Sequence, residues 1–162
     1  KPISVYGATF NKLGMKKHIK GVSHWHPMDY SDDDVCTVED SVVAMIRFDN
    51  GSVLEVEASF TLDLKEGQTS IEIFGDKGGA LVEPNLEIYK DMNDYMVNIT
   101  PVIDNNANVF GSMFQNEIDH FVDCVLNNKP CVSPVEGGVG LMRILVAIYE
   151  SAKTGHEVGI KR

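Results

Sequence analysis

The stretch that decides the fold runs from Ser112 to Gly155, SMFQNEIDHFVDCVLNNKPCVSPVEGGVGLMRILVAIYESAKTG, and predicts two helices joined by a short loop. In its first half apolar residues recur at the spacing of a helix with one apolar face. Ser112 and Gln115 have the form of a capping box, so we predict that the first helix begins there. The run Asn128-Lys129-Pro130 predicts its end, because the residue before a proline avoids the helical region.

The second helix has its own start and stop signals. Ser133 and Glu136 form another predicted capping box with Pro134 at the first helical position, and Gly155 is a typical left-handed stop. Two opposite faces of this helix are apolar: Val135, Val139, Met142 and Val146 on one, and Leu141, Ile144 and Ile148 on the other. A helix that is apolar nearly all round is buried nearly all round. We therefore predict that it packs on a sheet and on a second body.

The rest of the chain has the patterns of strands. They are predicted at Ile3–Phe10, Thr69–Phe74, Ala80–Glu83, Leu86–Tyr89, Met96–Thr100 and Glu157–Ile160, with a hairpin at Asp40–Phe60. Many strands, then two helices, then one strand predict an α+β fold: an open, largely antiparallel β-sheet with two C-terminal helices packed on one face. The length predicts a single domain over residues 1–162. Because a strand pattern begins almost at residue 1, we expect a piece of a longer protein.

The hairpin loop can be predicted from the phase of its two arms. Ile46 and Leu54 belong to apolar rows that must share a face, because directly opposed residues lie on the same side of a sheet. A two-residue loop would place the apolar row of one arm opposite the polar row of the other. A three-residue loop, Asp49-Asn50-Gly51, pairs residue 48 with 52 and residue 46 with 54. We predict this loop, with a glycine bulge.

Composition excludes several classes of partner. The net charge of −10 argues against binding to nucleic acid or to an anionic membrane. No apolar run is long enough to span a bilayer. The three cysteines include no C-x-x-C pair, which predicts reduced thiols and a cytoplasmic protein.

A long segment without periodicity, residues 11–36, carries the candidate binding residues. It contains Lys12 and the run His24-Trp25-His26, with the chain's one tryptophan. Loops of this length in compact domains are usually functional or disordered, and the aromatic content favours an ordered loop. Three interpretations stay open: a ligand-lining loop, plain packing, or a metal site at His24 and His26 completed by Cys36 or an aspartate from 32–34. The spacing matches no zinc pattern.

Two other motifs have more than one interpretation. His120, near Asp123 on the first helix, could act as an acid or base, but no nucleophile accompanies it, so a surface or interface histidine is favoured. Gly137, Gly138 and Gly140 do not form a G-x-G-x-x-G motif and do not follow a strand. Each costs a helix about 1 kcal/mol relative to alanine, so we interpret them as a site where another backbone approaches closely.

The series of motifs along the chain resembles a known family. The motifs are Val38–Ser41, Arg47–Gly51, Phe74–Gly79, Glu117–Val125, Asn128–Pro130 and Ala147–Val158. Their order is similar to that in the glucose–fructose oxidoreductase and inositol dehydrogenase family, and the resemblance covers nearly the whole chain. Members are two-domain NAD(P)-dependent enzymes that act mostly on sugars and polyols.

The resemblance implies a part of such an enzyme. An N-terminal Rossmann domain would bind NAD or NADP, and this chain would be the C-terminal substrate-side domain, which often dimerises through the open face of its sheet. The family's glycine-rich fingerprint and its catalytic Lys, Asp and His segments are absent here, so no catalytic or cofactor-binding residue is assigned and the isolated chain is expected to be inactive. For contact with a sugar-like small-molecule substrate we predict Lys12, His24, Trp25 and His26. The alternative is a free-standing, sheet-mediated binding module without enzymatic activity.

Overall fold

The computed structural model describes residues 1–12, 33, 35–62, 64–65, 67–102 and 110–161, and only the backbone of residues 110 and 111. Within these residues the strands are β1 Pro2–Phe10, β2 Ser41–Phe48, β3 Val53–Ser59, β4 Ile71–Gly75, β5 Gly78–Glu83, β6 Glu87–Met92, β7 Tyr95–Ile99 and β8 Val158–Gly159, and the helices are α1 Phe110–Asn127 and α2 Val135–Thr154. The strands form two antiparallel sheets of four strands each. The predicted α+β class is therefore confirmed.

The chain divides into two compact units. The first unit contains Lys1–Asp63 and Val132–Arg162, and the second contains Leu64–Cys131. Sheet 1, with the order β3-β2-β1-β8, lies in the first unit together with α2, and sheet 2, with the order β4-β5-β6-β7, lies in the second unit together with α1.

The hairpin of β2 and β3 has the predicted loop. Ile46 pairs with Leu54, and Ala44 pairs with Val56. Phe48 N donates to Ser52 O at 2.9 Å, and Gly51 N donates to Phe48 O at 3.0 Å. Gly51 has φ +86°, the left-handed conformation that a glycine bulge requires. The prediction is confirmed because only this loop length sets the apolar rows of the two arms opposite each other.

The core of the first unit lies between sheet 1 and α2. Its buried members are Val5, Ala44, Ile46, Ala147 and Ile148. Burial of a Val or Ile side chain stabilises a fold by about 1.5–3 kcal/mol. α2 can approach β1 closely because Gly7 has no side chain, and a Cβ built there would lie 3.0 Å from Ile148 Cγ2.

A buried serine joins the strand, the helix and the chain after it. Ser151 is fully buried. Its Oγ accepts a hydrogen bond from Gly7 N at 2.9 Å and donates one to His156 O at 2.6 Å. β8 pairs with β1 only at Ser4 and Val5 and does not reach Gly7. Ser151 therefore supplies the acceptor that the Gly7 N–H needs.

Among the described residues α2 packs on sheet 1 with one face, as predicted, and its packing on a second body stays a prediction. Its other apolar face, Val135, Val139, Met142 and Val146, is exposed, with Val135 at 75%. No atom lies within 4 Å of a Cβ built at Gly137, Gly138 or Gly140, so the part of the chain that the structure describes supplies no close backbone there. Sheet 1 covers the remaining face at Ile144 and Ile148, while Leu141 is exposed.

The second face of sheet 1 is open in this chain. It consists of Tyr6, Phe10, Val43, Met45 and Val53, all exposed, interspersed with Glu55 and Glu57. We call this set the open face. Its mixture of apolar and charged side chains agrees with the hairpin pattern, in which one row is apolar and the other mixed.

Sheet 2 is an antiparallel meander whose last hairpin is tight. Met92 pairs with Tyr95 across a two-residue turn, in which Asn93 and Asp94 have φ of 51° and 66°. Positive φ at both turn residues is typical of the turn that matches strand twist, and Asn and Asp tolerate it.

The helix boundaries confirm the predicted ends of both helices but neither predicted start. α1 ends at Asn127, just before the predicted Asn128-Lys129-Pro130 stop, and α2 begins at Val135 next to Pro134. Gly155 ends α2 in the left-handed conformation, and its N–H donates to Ser151 O at 2.8 Å. Ser112 lies inside α1, two residues after its start, so the first predicted capping box is wrong. Pro134 rather than Ser133 is the cap of α2, so the second is one residue out of place.

No described helix is long and apolar enough to cross a membrane.

Replacing Ser151 with alanine tests the joint between β1 and α2. The substitution leaves the buried Gly7 N–H without its acceptor, so we expect a loss of about 1–3 kcal/mol in the free energy of unfolding, measured by urea denaturation. Ser52→Ala is the matched control, because Ser52 is exposed and its hydroxyl donates within a turn. It should change stability by about 0.5 kcal/mol or less. Equal stability of Ser151→Ala and the parent would contradict this account.

Candidate functional site

Hydrogen bonds fix both ends of the long segment that carries the predicted binding residues. Asp40 N donates to Phe10 O at 2.8 Å, where β1 ends and β2 is about to begin. Asn11 Nδ2 donates to Cys36 O at 2.9 Å. The two ends of the segment are therefore held side by side at one end of sheet 1. We call Asn11, Lys12, Cys36, Glu39 and Asp40 the loop base.

Asp40 is the buried centre of the loop base. Its side chain is 2% exposed, and its Oδ2 accepts a hydrogen bond from Lys12 N at 2.7 Å. Its backbone carbonyl accepts a hydrogen bond from Ser59 Oγ at 2.7 Å, which adds β3 to the same junction. Sequence reasoning missed Asp40 as a site residue. Its signals were its place directly before an apolar strand and within the Val38–Ser41 motif.

Glu39 links the loop base to α2. Tyr149 Oη donates to Glu39 Oε1 at 2.7 Å. This hydrogen bond lowers the pKa of Glu39 below its ordinary value because it stabilises the carboxylate. The same bond raises the pKa of Tyr149, because its hydroxyl proton is held by the acceptor. The helix that packs on β1 therefore also positions the chain that leads into β2.

Of the four predicted substrate-contact residues, the structure places Lys12. Its backbone is held by Asp40 and its side chain is exposed, so its ammonium group is available to solvent or to a ligand. His24, Trp25 and His26 lie outside the described residues, as does the metal hypothesis that rests on His24 and His26. Cys36, which that hypothesis includes, is half-buried, and its thiol donates to Val38 O at 3.5 Å.

The glycine run does not form a phosphate cradle. Gly137, Gly138 and Gly140 lie inside α2, and the residues before the helix are loop rather than strand. A dinucleotide cradle needs glycines in the turn between a strand and a helix, so that backbone N–H groups face the phosphates. These glycines therefore do not fit a dinucleotide.

An apolar groove of about 620 Å³ runs along the exposed side of α2. Its apolar lining includes Val135, Val139, Met142 and Val146, with Arg143 and Glu150 among its polar residues. The groove contains the apolar face that the sequence predicted to be buried. Its lining is suited to packing rather than to acid–base chemistry, because it is mostly aliphatic.

His120 lies next to a cysteine rather than in an acid–base pair with Asp123. Cys124 Sγ is 3.4 Å from His120 Nε2, one helical turn away. Asp123 instead accepts from Lys129 Nζ at 2.8 Å and from Asn127 Nδ2 at 2.6 Å, and these bonds lower the pKa of Asp123. Burial raises the pKa of the Cys124 thiol, and the neighbouring Cys131 and Asp123 raise it further. The His120–Asp123 hypothesis gains no support from this geometry.

Replacing Tyr149 with phenylalanine tests the bond between α2 and the loop base. Without the donor, the pKa of Glu39 should rise toward its ordinary value of 4.5, measured by NMR titration of the carboxyl carbon. In the parent, the pKa of Glu39 is lower folded than unfolded. The bond's stabilisation is therefore present above the unfolded pKa and is lost as pH falls through the folded pKa.

The stability difference between Tyr149→Phe and the parent should accordingly be measurable at neutral pH and shrink in acid. Tyr95→Phe serves as the control, since Tyr95 is an exposed residue of the second unit and should leave the Glu39 titration unchanged. If Glu39 titrated identically in Tyr149→Phe and the parent, the proposed cause of its low pKa would be wrong.

Comparison with known proteins places this architecture in a family. The family model described as "Oxidoreductase family, C-terminal alpha/beta domain" matches residues 18–160. D-glucoside 3-dehydrogenase from Escherichia coli strain K12 is 30% identical over 158 residues, which are 96% of this chain and 41% of that protein. The chain therefore spans about two fifths of the length of this curated relative.

Solved structures share the fold. Levoglucosan dehydrogenase in complex with NADH superposes with a TM-score of 0.78 at 19% identity, over 100% of this chain and 45% of that one. The WlbA dehydrogenase from Bordetella pertussis, in complex with NADH and UDP-GlcNAcA, superposes with a TM-score of 0.65 at 18% identity, over 99% of this chain and 42% of that one. The chain belongs to the glucose–fructose oxidoreductase and inositol dehydrogenase family of oxidoreductases and carries that family's C-terminal α/β domain.

Proposed function

We propose that this chain is the substrate-side and dimerisation domain of an NAD(P)-dependent oxidoreductase. The enzyme would transfer a hydride at a hydroxyl-bearing carbon of a sugar, polyol or related compound. The observation that carries the proposal is the similarity over 96% of the chain to a protein named as a glucoside dehydrogenase. The two solved dehydrogenases named above were crystallised with NADH, which supports a nicotinamide cofactor for the whole enzyme.

In this proposal the cofactor and the catalytic residues come from an N-terminal Rossmann domain. The chain corresponds to 41% of the curated relative and 45% of levoglucosan dehydrogenase, which leaves room for such a domain in the whole protein. The absence of a G-x-G-x-x-G motif from the sequence agrees with this division of labour. The isolated chain would then bind neither NAD nor NADP and would be inactive.

The loop base would present the substrate-contact residues. Lys12 supplies a cation on a backbone held by the buried carboxylate of Asp40, so its position is well determined. In the proposal His24 and His26 donate and accept hydrogen bonds with substrate hydroxyls, and the indole of Trp25 stacks on the apolar side of a sugar ring. A rigid base that presents a polar loop is a common way to position binding residues.

Two exposed apolar surfaces would each have a partner. The open face of sheet 1 would pair with a second copy in a dimer or larger assembly, and the groove along α2 would receive the Rossmann domain. Contiguous exposed apolar patches of this kind usually mark interaction sites. The glycines of α2, which have open space above them, would let a partner's backbone approach the helix closely. The three cysteines, none of them in a disulfide, agree with a cytoplasmic location.

The substrate site is tested by Trp25→Ala in the intact enzyme with its nicotinamide cofactor. Loss of one aromatic contact of about 1.4 kcal/mol should raise KM for a glucoside or polyol about tenfold, with kcat nearly unchanged. NADH fluorescence follows the reaction. Phe60→Ala, at an exposed aromatic residue after β3, is the control and should leave KM unchanged.

These measurements separate the activity from the site. An unchanged KM in Trp25→Ala would remove Trp25 from the substrate site and leave the enzyme class intact. If the intact protein reduced no nicotinamide with any sugar or polyol tested, the proposed activity would be rejected. Micromolar binding of NADH by the isolated chain would contradict the proposed division between domains.

The dimer surface is tested by Met45→Glu. A carboxylate at the centre of the open face would be buried without a partner, so the dissociation constant of self-association should rise at least about tenfold in sedimentation equilibrium. Met92→Glu is the matched control, because Met92 is a similarly exposed methionine on a strand of sheet 2. Parent protein that sediments as a monomer at high concentration, or an equal constant in Met45→Glu, would reject the open face as the interface.

A further inference from the structure

The end of α1 gathers three side chains that can bind a metal ion. His120 and Cys124 lie one turn apart on the same face of the helix, and Cys124 Sγ is 3.4 Å from His120 Nε2. Cys131 joins them from beyond the helix. One ligand atom from each of these residues lies within 4.8 Å of the other two. We call this set the His-Cys-Cys cluster.

The turn after α1 explains how Cys131 reaches Cys124. Asn128 has φ +50°, the left-handed conformation of a residue that ends a helix. Lys129 N then donates back to Cys124 O at 3.2 Å, the bond that closes this type of helix end. The chain therefore reverses over the last turns of the helix, and Cys131 lies beside a residue seven positions earlier. The sequence spacing matches no common zinc pattern, because the approach of Cys131 depends on this turn.

Two polar contacts with Asp123 hold the turn after α1 against the helix. Lys129 Nζ forms an ion pair with Asp123 Oδ2 at 2.8 Å, and Asn127 Nδ2 donates to Asp123 Oδ1 at 2.6 Å. Both oxygens of Asp123 are thereby engaged, so this carboxylate serves the turn and not the cluster. These contacts hold the turn that leads to Cys131.

We propose that the His-Cys-Cys cluster binds one Zn²⁺ ion through His120, Cys124 and Cys131, with a fourth position open to water. Bonds of about 2.3 Å to sulfur and about 2.0 Å to nitrogen in a tetrahedron place S and N about 3.5 Å apart and two S atoms about 3.8 Å apart. The observed 3.4 Å between Cys124 Sγ and His120 Nε2 is close to this spacing. Cys124 Sγ also lies 3.9 Å from His120 Nδ1, so the imidazole has to turn to point Nε2 at the ion. Two thiolates and an imidazole select a soft or borderline metal over Mg²⁺ or Ca²⁺.

The fourth position around the proposed ion would face solvent, because Cys131 is exposed. Cys131 is exposed, while His120 and Cys124 are half-buried, so the ion would bind at the surface with one side toward solvent. The Cys124 thiol donates to the backbone oxygen of Pro130, in the turn, at 3.8 Å. Zinc would fasten the turn to α1 and so fix how the chain leaves the helix. This site is independent of the proposed dehydrogenase activity.

Co²⁺ titration of the reduced, intact protein is the first experiment. Co²⁺ takes the same tetrahedral ligands, and thiolate ligation gives an intense charge-transfer band that water or carboxylate ligation does not. We expect the band to saturate at one equivalent and to vanish when Zn²⁺ is added. Cys124→Ser and Cys131→Ser should each weaken it, and His120→Asn should change the visible bands. Cys36→Ser is the matched control and should bind Co²⁺ like the parent.

A second measurement guards against variants that misfold. Zn²⁺ should raise Tm of the parent and of Cys36→Ser by about 5 °C or more, and should not raise Tm of Cys131→Ser, whose exposed side chain the fold does not need. The proposal is overturned if excess Co²⁺ gives no thiolate band in the parent, or if the band in Cys131→Ser is as intense as in the parent. It is also overturned if the protein, purified under reducing conditions, has only one titratable thiol, because Cys124 and Cys131 would then form a disulfide.

Discussion

The close contact between α2 and β1 at Gly7 is the constraint on which the first unit depends. The backbone N–H of Gly7 in β1 needs an acceptor. β8 supplies none, because it pairs with β1 only at Ser4 and Val5. Ser151 Oγ accepts that hydrogen bond from the helix side. The contact is possible because Gly7 has no side chain. A Cβ at this position would lie 3.0 Å from Ile148 Cγ2. The packing of the helix and the hydrogen bonding of the strand are therefore one interaction.

The position of the loop base follows from this packing. Once α2 lies on β1, Tyr149 reaches Glu39, and the register between β1 and β2 brings Phe10 to Asp40. Asp40 then holds the backbone of Lys12. A buried carboxylate is costly unless its lone pairs are satisfied, and here a backbone N–H at 2.7 Å contributes to that. Hydrogen bonds from β1, β3 and α2 therefore converge on Glu39 and Asp40 at this junction.

The apolar surfaces that this chain leaves exposed agree with membership in a family of multi-domain oxidoreductases. Two such surfaces, the open face and the groove along α2, belong to the first unit. Each apolar Å² exposed to water forgoes about 25 cal/mol, so large exposed patches are uncommon unless a partner covers them. Sequence reasoning found both surfaces as apolar patterns and predicted a second body for α2, whose other apolar face is exposed here.

The sequence by itself determined the features that depend only on residues close together in the chain. The glycine-bulge loop at Asp49–Gly51, the left-handed stop at Gly155, the strand positions and the α+β class all depend on backbone preferences and on side-chain periods of neighbouring residues. The predicted helix start at Ser112 is wrong, because the S-x-x-Q pattern can also occur inside a helix. Only the tertiary structure decided the division of the strands between two sheets, the role of Asp40, and the approach of Cys131 to His120. These depend on contacts between residues far apart in the chain or across a chain reversal, and no local pattern records which distant groups will meet.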